Sequence, residues 1–368
     1  MKNNLHIQIY VGPSSLIGSK FTIPEKDDYI SATEFASKTE PSLLRLSDSN
    51  VDLGSDQLVI FSDEYFGITE NFVNSLWRRL DNTQITKVIL VNPPNQLIKQ
   101  AERNGLSPKI TQHEYTDIDE EKIRQIKSSL DAHLFGQGTA KTRIAKSLIP
   151  LLNKTRVKPI VLMLYGPPGV GKTESAKIIA SKLDTGNLFR SQFSMMQTNS
   201  LADYLYGSKT SDRSLAQELV ERETNTIVFD EFDKTNALFH SAFYQLFDEG
   251  IFEDKNYKID LRRSIIICTS NYSSKDEVRT HLGNALFSRI SSFIKFDKLA
   301  DEDKKLIASS LLKNYYSQIP AAYRSLVPSQ RDILKGYEAI LLSCDNAREI
   351  DSCIQYVLSD LIYERIIG

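Results

Sequence analysis

Apolar and polar positions alternate from the start of the chain. In LHIQIYVG, residues Leu5, Ile7, Ile9 and Val11 fall on one side, the period of two that marks a strand. QLVIF (57–61) and KVILV (87–91) are short apolar runs of the kind buried strands make, and KITQHEY (109–115) is a third candidate strand. Between them lie two helical patterns. ITENFVNSLWRRLD has Thr69 as its candidate cap, and NQLIKQAERNG has Asn95 before it and Gly105 closing it. The resulting β-α-β-α-β order predicts a small parallel sheet with helices packed on it. Gly, Pro, Ser and Asp cluster in 12–56, where no period dominates.

The pattern changes near residue 118. TDIDEEKIRQIKSSLDAHLFGQ opens a capped helix with acidic residues in its first turn. PIVLMLYGPPGVGKTESAKIIA then reads as strand, loop and helix; NTIVFDEFDK and RSIIICTSN are further apolar strands that end in polar residues. Neither an internal repeat nor a long flexible linker separates the two halves, so the N-terminal part is expected close to the rest.

Composition adds exclusions. The chain has 368 residues, 41% hydrophobic and 25% charged, which is ordinary for a soluble globular protein of two or three domains. No run of eighteen apolar residues predicts a membrane span, and the N-terminus lacks the layout of an export signal. Cys268, Cys344 and Cys353 fall at no metal or redox spacing, and so sparse a set suits a reducing cytoplasm. The five histidines pair with no Cys or Glu at ligand spacing. Net charge is −2, and residues 1–118 hold 11 Lys and Arg against 15 Asp and Glu. No basic footprint for nucleic acid results, although charge clustered in space leaves that alternative open.

The loop after Tyr165 carries the clearest chemistry. Gly166, Pro167, Pro168, Gly169, Val170, Gly171, Lys172 and Thr173 fit G-x-x-x-x-G-K-[ST], followed by Glu174 at the head of a helix. Glycines let backbone N–H groups wrap phosphates at a helix N-terminus. Lys172 then reaches the β- and γ-phosphates of ATP, and Thr173 coordinates Mg²⁺. Downstream, Asp230 would complete the Mg²⁺ shell and Glu231 would polarise the attacking water. Asn271, among the polar residues closing the third strand, could hold that water. In the N-terminal part, Asp63 and Glu64 follow a strand and could line a site; the plainer expectation is that both are solvated turn residues.

The three segments resemble the P-loop, Walker B and sensor-1 strands of AAA+ ATPases, particularly the Clp branch of ring-forming protein remodellers. HLFGQGTAKTRIAKSL (133–148) resembles the family's Gly-Gln box, whose backbone sits near adenine, which places Phe135 and Gly136 there. The span from DEFDKTNALFH to CTSN, FSRISSFIKFDKL and NAREIDSCIQ continue the likeness to the end of the chain. It implies an α/β fold: a P-loop AAA+ module with a parallel-sheet large subdomain (119–297) and a small helical lid (298–368), preceded by a small α/β N-terminal domain (1–118) that shares none of the likeness. It also implies an arginine finger at Arg289, acting on a neighbouring subunit's nucleotide, and a sensor-2 arginine at Arg348. Six subunits per ring is the family's habit.

Clp remodellers grip polypeptide with an aromatic pore-loop residue. Here the likeness runs to Tyr206-Gly207, and the Gly-rich grip is absent. Tyr204 and Tyr206 are substitutes by position, with packing on their own helix the favoured expectation. No I-G-F-like tripeptide lies between Walker B and sensor 1, so docking to a peptidase is unsupported. The expected function is an ATP-hydrolysing, oligomeric remodeller or chaperone-like ATPase, with protein substrate or partner chosen by residues 1–118. The alternatives are a nucleotide-controlled assembly switch signalling through a partner, as in stress or phage defence, and a nucleic-acid-associated loader. The last has only Lys209 and Arg213 to offer in the pore-loop segment.

Overall fold

Strand β1 (His6–Val11) lies inside an all-parallel sheet with β2 (Gln57–Ile60), β3 (Lys87–Val91) and β4 (Lys109–Gln112), in the order β2-β3-β1-β4. The computed structural model describes residues 5–40, 53–81, 83–183, 187–195, 198–207, 213–324 and 327–366. Ile7 and Ile9 are buried on one face, against helices Glu70–Leu80 and Asn95–Arg103. Tyr10 and Val91 are fully buried on the other, with Ile17. Cover on both faces explains why β3 reads as a continuous apolar run rather than an alternation. Thr69 caps its helix as expected, accepting from the Phe72 N–H at 3.2 Å.

Three local expectations change. Asn95 is the first helical residue rather than the cap, and its N–H donates to the Asn256 carbonyl at 2.7 Å. The strand at 109 ends at Gln112, short of Tyr115. Asp63 is solvated, but Glu64 is a half-buried brace: its carboxylate accepts from the Phe61 and Ala32 N–H groups, both at 2.9 Å. Burial raises the Glu64 pKa from the usual carboxylate range, against those hydrogen bonds.

A second parallel sheet follows: β5 (Ile160–Tyr165), β6 (Phe189–Gln192), β7 (Thr226–Asp230), β10 (Ile265–Ser270) and β11 (Ser292–Lys295), ordered β11-β5-β10-β7-β6. Every residue of β5, β7 and β10 is buried. Alternate residues of β5 feed two cores: Ile160, Leu162 and Leu164 on one face, Val161, Met163 and Tyr165 on the other. An antiparallel hairpin, β8 (Ile251–Glu253) and β9 (Lys258–Asp260), stands apart from this sheet. The C-terminal helices Asp301–Gln318, Gln330–Gly336, Glu338–Ser343 and Ala347–Ile366 contribute Ile307, Leu312, Ile333, Leu341 and Ile350 to the first of those cores. No helix among the described residues is long and apolar enough to cross a membrane.

The two sheets are tied together where the first one's strands end. Asn92, buried and left-handed at φ 49°, holds Gly12 by its N–H and its carbonyl, each at 2.8 Å. Its amide also donates to Glu221 at 2.6 Å, and the Ser14 N–H and hydroxyl donate to the same carboxylate at 2.7 and 2.9 Å. Arg263 secures the connecting segment, donating to Asp117 and to the Asn153 and Leu151 carbonyls.

Candidate functional site

The loop between β5 and the helix Lys172–Leu183 is shaped by close approach. At Gly166, φ is +138° and a Cβ would overlap the Phe296 carbonyl oxygen, so glycine is required. Gly169 packs against Asn346, and its carbonyl accepts from the Ala347 N–H at 3.1 Å. Lys172 folds back into the loop. Its Nζ donates to the Gly166 and Pro167 carbonyls at 2.6 Å and to Asn271 Oδ1 at 3.2 Å.

Those contacts open on a cavity of about 720 Å³ at the carboxyl ends of β5, β7 and β10. Pro168, Gly169, Val170, Gly171, Lys172, Thr173 and Glu174 line it, with Asp230, Glu231, Asn271, Phe135 and Arg348. Gly166 and Pro167 stand just behind the wall as acceptors for Lys172. Gly136 is outside the wall, at φ +63° against Asp303. The Gly-Gln turn is instead fastened by Gln137, whose amide donates to the Asp297 carbonyl at 2.8 Å.

Charge in the cavity is balanced unevenly. Burial lowers the Lys172 pKa to about 8; Asp233 and Asp230 oppose that shift, and Arg348 adds to it. Burial also raises the Asp233 carboxyl, at the next turn. Asp230 Oδ1 accepts from the Thr269 hydroxyl and lies 3.5 Å from Thr173 Oγ1. A carboxylate and a hydroxyl so placed are the hard oxygen donors that Mg²⁺ takes. Glu231 follows β7 in a left-handed conformation, φ 53° and ψ 43°, rare for a non-glycine residue and typical of functional strand ends. Its N–H donates to Thr269 Oγ1 at 3.0 Å, and its carboxylate accepts from Gln192 at 3.2 Å.

Arg289 does not join this group within one chain. Its guanidinium donates to Asp248 at 2.6 Å and lies 4.7 Å from the Tyr244 ring centroid. The sequence reading missed several wall residues. Leu299, Ile307 and Leu311 face the cavity with Phe135 and form its apolar part. Arg190 and Gln192 on β6 hold Asp230 and Glu231; FRSQ is a short polar strand with no motif to single it out. Of the two tyrosines near the pore-loop segment, Tyr204 is packed and donates to Glu218 at 2.6 Å. Tyr206 is 45% exposed. Lys209 lies outside the described residues.

Residues 157–316 match the family model described as AAA domain (Cdc48 subfamily). The chaperone protein ClpB of Clostridium perfringens is 26% identical over 288 residues, 68% of this chain and 33% of that protein. The ClpA homolog of Porphyra purpurea, an ATP-dependent Clp protease ATP-binding subunit, is 22% identical over 297 residues, 69% of this chain and 36% of that protein. The chain thus spans about a third of the length of these relatives. Among solved structures, closed-state Hsp104 with ATPγS and FITC casein matches with a TM-score of 0.55 and 14% identity, covering 98% of this chain and 88% of that one. That likeness is one of fold.

Proposed function

We propose that this Clp-type AAA+ chain binds and hydrolyses ATP and works as an oligomeric, ATP-driven protein remodeller. The observation that carries the reading is the convergence of Lys172, Thr173, Asp230, Glu231, Asn271 and Arg348 on one cavity at the ends of three buried strands. The apolar part beside Phe135 suits a purine, and the opposite end suits a triphosphate. Lys172 pairs with the phosphates once they displace its loop carbonyls. Thr173 and Asp230 would hold Mg²⁺, whose positive charge would offset that of the triphosphate. Glu231 orients the attacking water, and Asn271 positions it against the γ-phosphate. Arg348, on the helix joined to the loop through Ala347, senses the same phosphates.

Arg289 acts in trans, on the cavity of a neighbouring copy in a ring, six being the family's habit. Its position away from the cavity of its own chain supports that role. Residues 1–118 serve as the part that selects a protein substrate or partner, 119–297 as the nucleotide-binding subdomain and 298–368 as its lid. The separate N-terminal sheet supports the first boundary, and the casein in the structure of the neighbour in fold supports the substrate class.

The test is ATP turnover per protomer against protein concentration. Turnover should rise with concentration, and Arg289→Ala should lower it by about 10³-fold or more while leaving ATP binding intact. Glu231→Gln should bind ATP and lose about 10²–10⁴-fold in turnover. A dilute, monomeric Arg289→Ala protein with full activity would end the trans reading.

A further inference from the structure

The ladder between β7 and β10 ends with Phe229 paired to Cys268. Two residues later Glu231 is left-handed, and the chain leaves the sheet. In a continued ladder the Glu231 N–H would meet a backbone carbonyl of β10. It meets a side chain instead, donating to Thr269 Oγ1 at 3.0 Å. The Glu231 carbonyl accepts from the Lys234 N–H at 2.9 Å, which closes the next turn.

The same hydroxyl bonds Asp230 Oδ1. The direction of both bonds is fixed by the groups involved. A backbone N–H only donates and a carboxylate only accepts, so Thr269 accepts from Glu231 and gives its single proton to Asp230. One hydroxyl thus ties together two consecutive residues of the cavity wall. Thr269 is 2% exposed, on a strand buried along its whole length. A β-branched side chain has little χ1 freedom there, so the oxygen is held in place. Left-handed backbone is unfavourable for glutamate and persists only where neighbours enforce it. Without the Thr269 oxygen the Glu231 N–H loses its acceptor, and extended conformations that redirect the side chain become accessible.

We propose that Thr269 is a positioning residue for hydrolysis: its hydroxyl holds Glu231 in the left-handed conformation that presents the carboxylate to the cavity. The inference rests on the nucleotide reading of the cavity, with Glu231 as the group that orients water. Thr269 then serves turnover and not nucleotide affinity, unlike Lys172 two strands away.

The test combines kcat and KM for ATP, mant-ATP binding with Mg²⁺, and hydrogen exchange at the Glu231 amide in protein without nucleotide. Thr269→Val keeps the shape of the side chain and removes the hydroxyl. It should lower kcat by roughly 10- to 100-fold, the scale of a misplaced catalytic group. KM and mant-ATP affinity should stay within about threefold. Exchange at Glu231 should quicken by roughly five- to tenfold, the effect of one lost hydrogen bond. Thr269→Ser, which restores the oxygen, should recover kcat to within about threefold of the wild type. In a Glu231→Gln background the Thr269→Val change should cost less than about threefold, since both act on one step. Thr269→Ala, which also lacks the oxygen, takes the same measurements should Thr269→Val not fold. Unchanged kcat in the variant without the hydroxyl would overturn the proposal. So would a Thr269→Ser protein as slow as Thr269→Val, which would assign the effect to the methyl group. A loss of full size in the Glu231→Gln background, or a fall in mant-ATP affinity that matches the fall in kcat, would overturn it by removing Glu231 from the effect. A wild-type protein that binds no mant-ATP fails the nucleotide reading itself and removes the basis of this one.

Discussion

The two parallel sheets of this protein solve the same problem at their carboxyl ends in opposite ways. In both, strand ends and the loops after them leave a crevice. In the second sheet a glycine loop bends back on Phe296, and a cavity of about 720 Å³ remains, walled by charged groups. In the first sheet the equivalent edge is plugged. Asn92 bridges the ends of β1 and β3, and Glu221, a residue of the other half, takes the remaining donors. Similar topology thus leaves an open cavity in one place and makes an internal joint in the other. What differs is that a side chain from the other half, Glu221, reaches into the first crevice, whereas the second stays open.

Removing the open end's main cation should break the contrast most. Lys172→Ala leaves the loop without its charge, and affinity for ATP should fall on the order of 100-fold or more, read by calorimetry or mant-ATP fluorescence. Near-normal affinity would mean that the cavity is no more a phosphate site than the plugged edge is.

A change of pH should sharpen the contrast with a smaller effect. Burial holds the Lys172 pKa at about 8, below the ordinary lysine value of 10.5. As pH rises through 8 Lys172 loses its charge, so ATP affinity should fall, by at most about tenfold per pH unit, with protons taken up on binding. Over the same window the unfolded chain binds more protons than the folded one, so the stability contribution of this group rises between pH 8 and 10.5. Lys172→Arg should flatten the affinity profile. A flat profile in the wild type would show that the charge is not titrating.

The smallest effect belongs to the plugged end. Glu221→Ala strands the Ser14 N–H and the Asn92 amide and should cost about 1–3 kcal/mol. Thermal or denaturant unfolding followed by Trp77, the chain's single tryptophan, which lies in the first sheet's core, reads it there. ATP binding should be unaffected. A loss of ATP binding would mean that the two ends are coupled.

The parts of this structure that were legible in the sequence are those with short-range signatures. The apolar runs at 57–61 and 87–91 became strands, and Pro168 to Thr173 of the loop at 166–173 line one cavity. Asp230 and Glu231 were placed by their position at a strand end. What stayed hidden depends on contacts across long separations. Ser14 meets Glu221 over 207 residues, and Arg190 meets Asp230 from a strand whose residues FRSQ show no distinctive period. Glu64 was misread as a solvated turn residue because its partner Ala32 lies 32 residues away, in the stretch with no clear period. The apolar wall of Leu299, Ile307 and Leu311 looks like ordinary helix core until the helices fold over the loop.

The bond between Gly169 and Ala347 has a mechanical meaning. Ala347 begins a helix of 20 residues, which at 1.5 Å per residue is a rod about 30 Å long. Its first turn is fastened to the loop between β5 and the helix Lys172–Leu183, and Asn346 fills the space where Gly169 has no side chain. A tilt of about 5° at that pivot carries the far end roughly 2.5 Å, enough to shift a packed neighbour by most of an atom's diameter. The rod works as a lever whose short arm is a single peptide group.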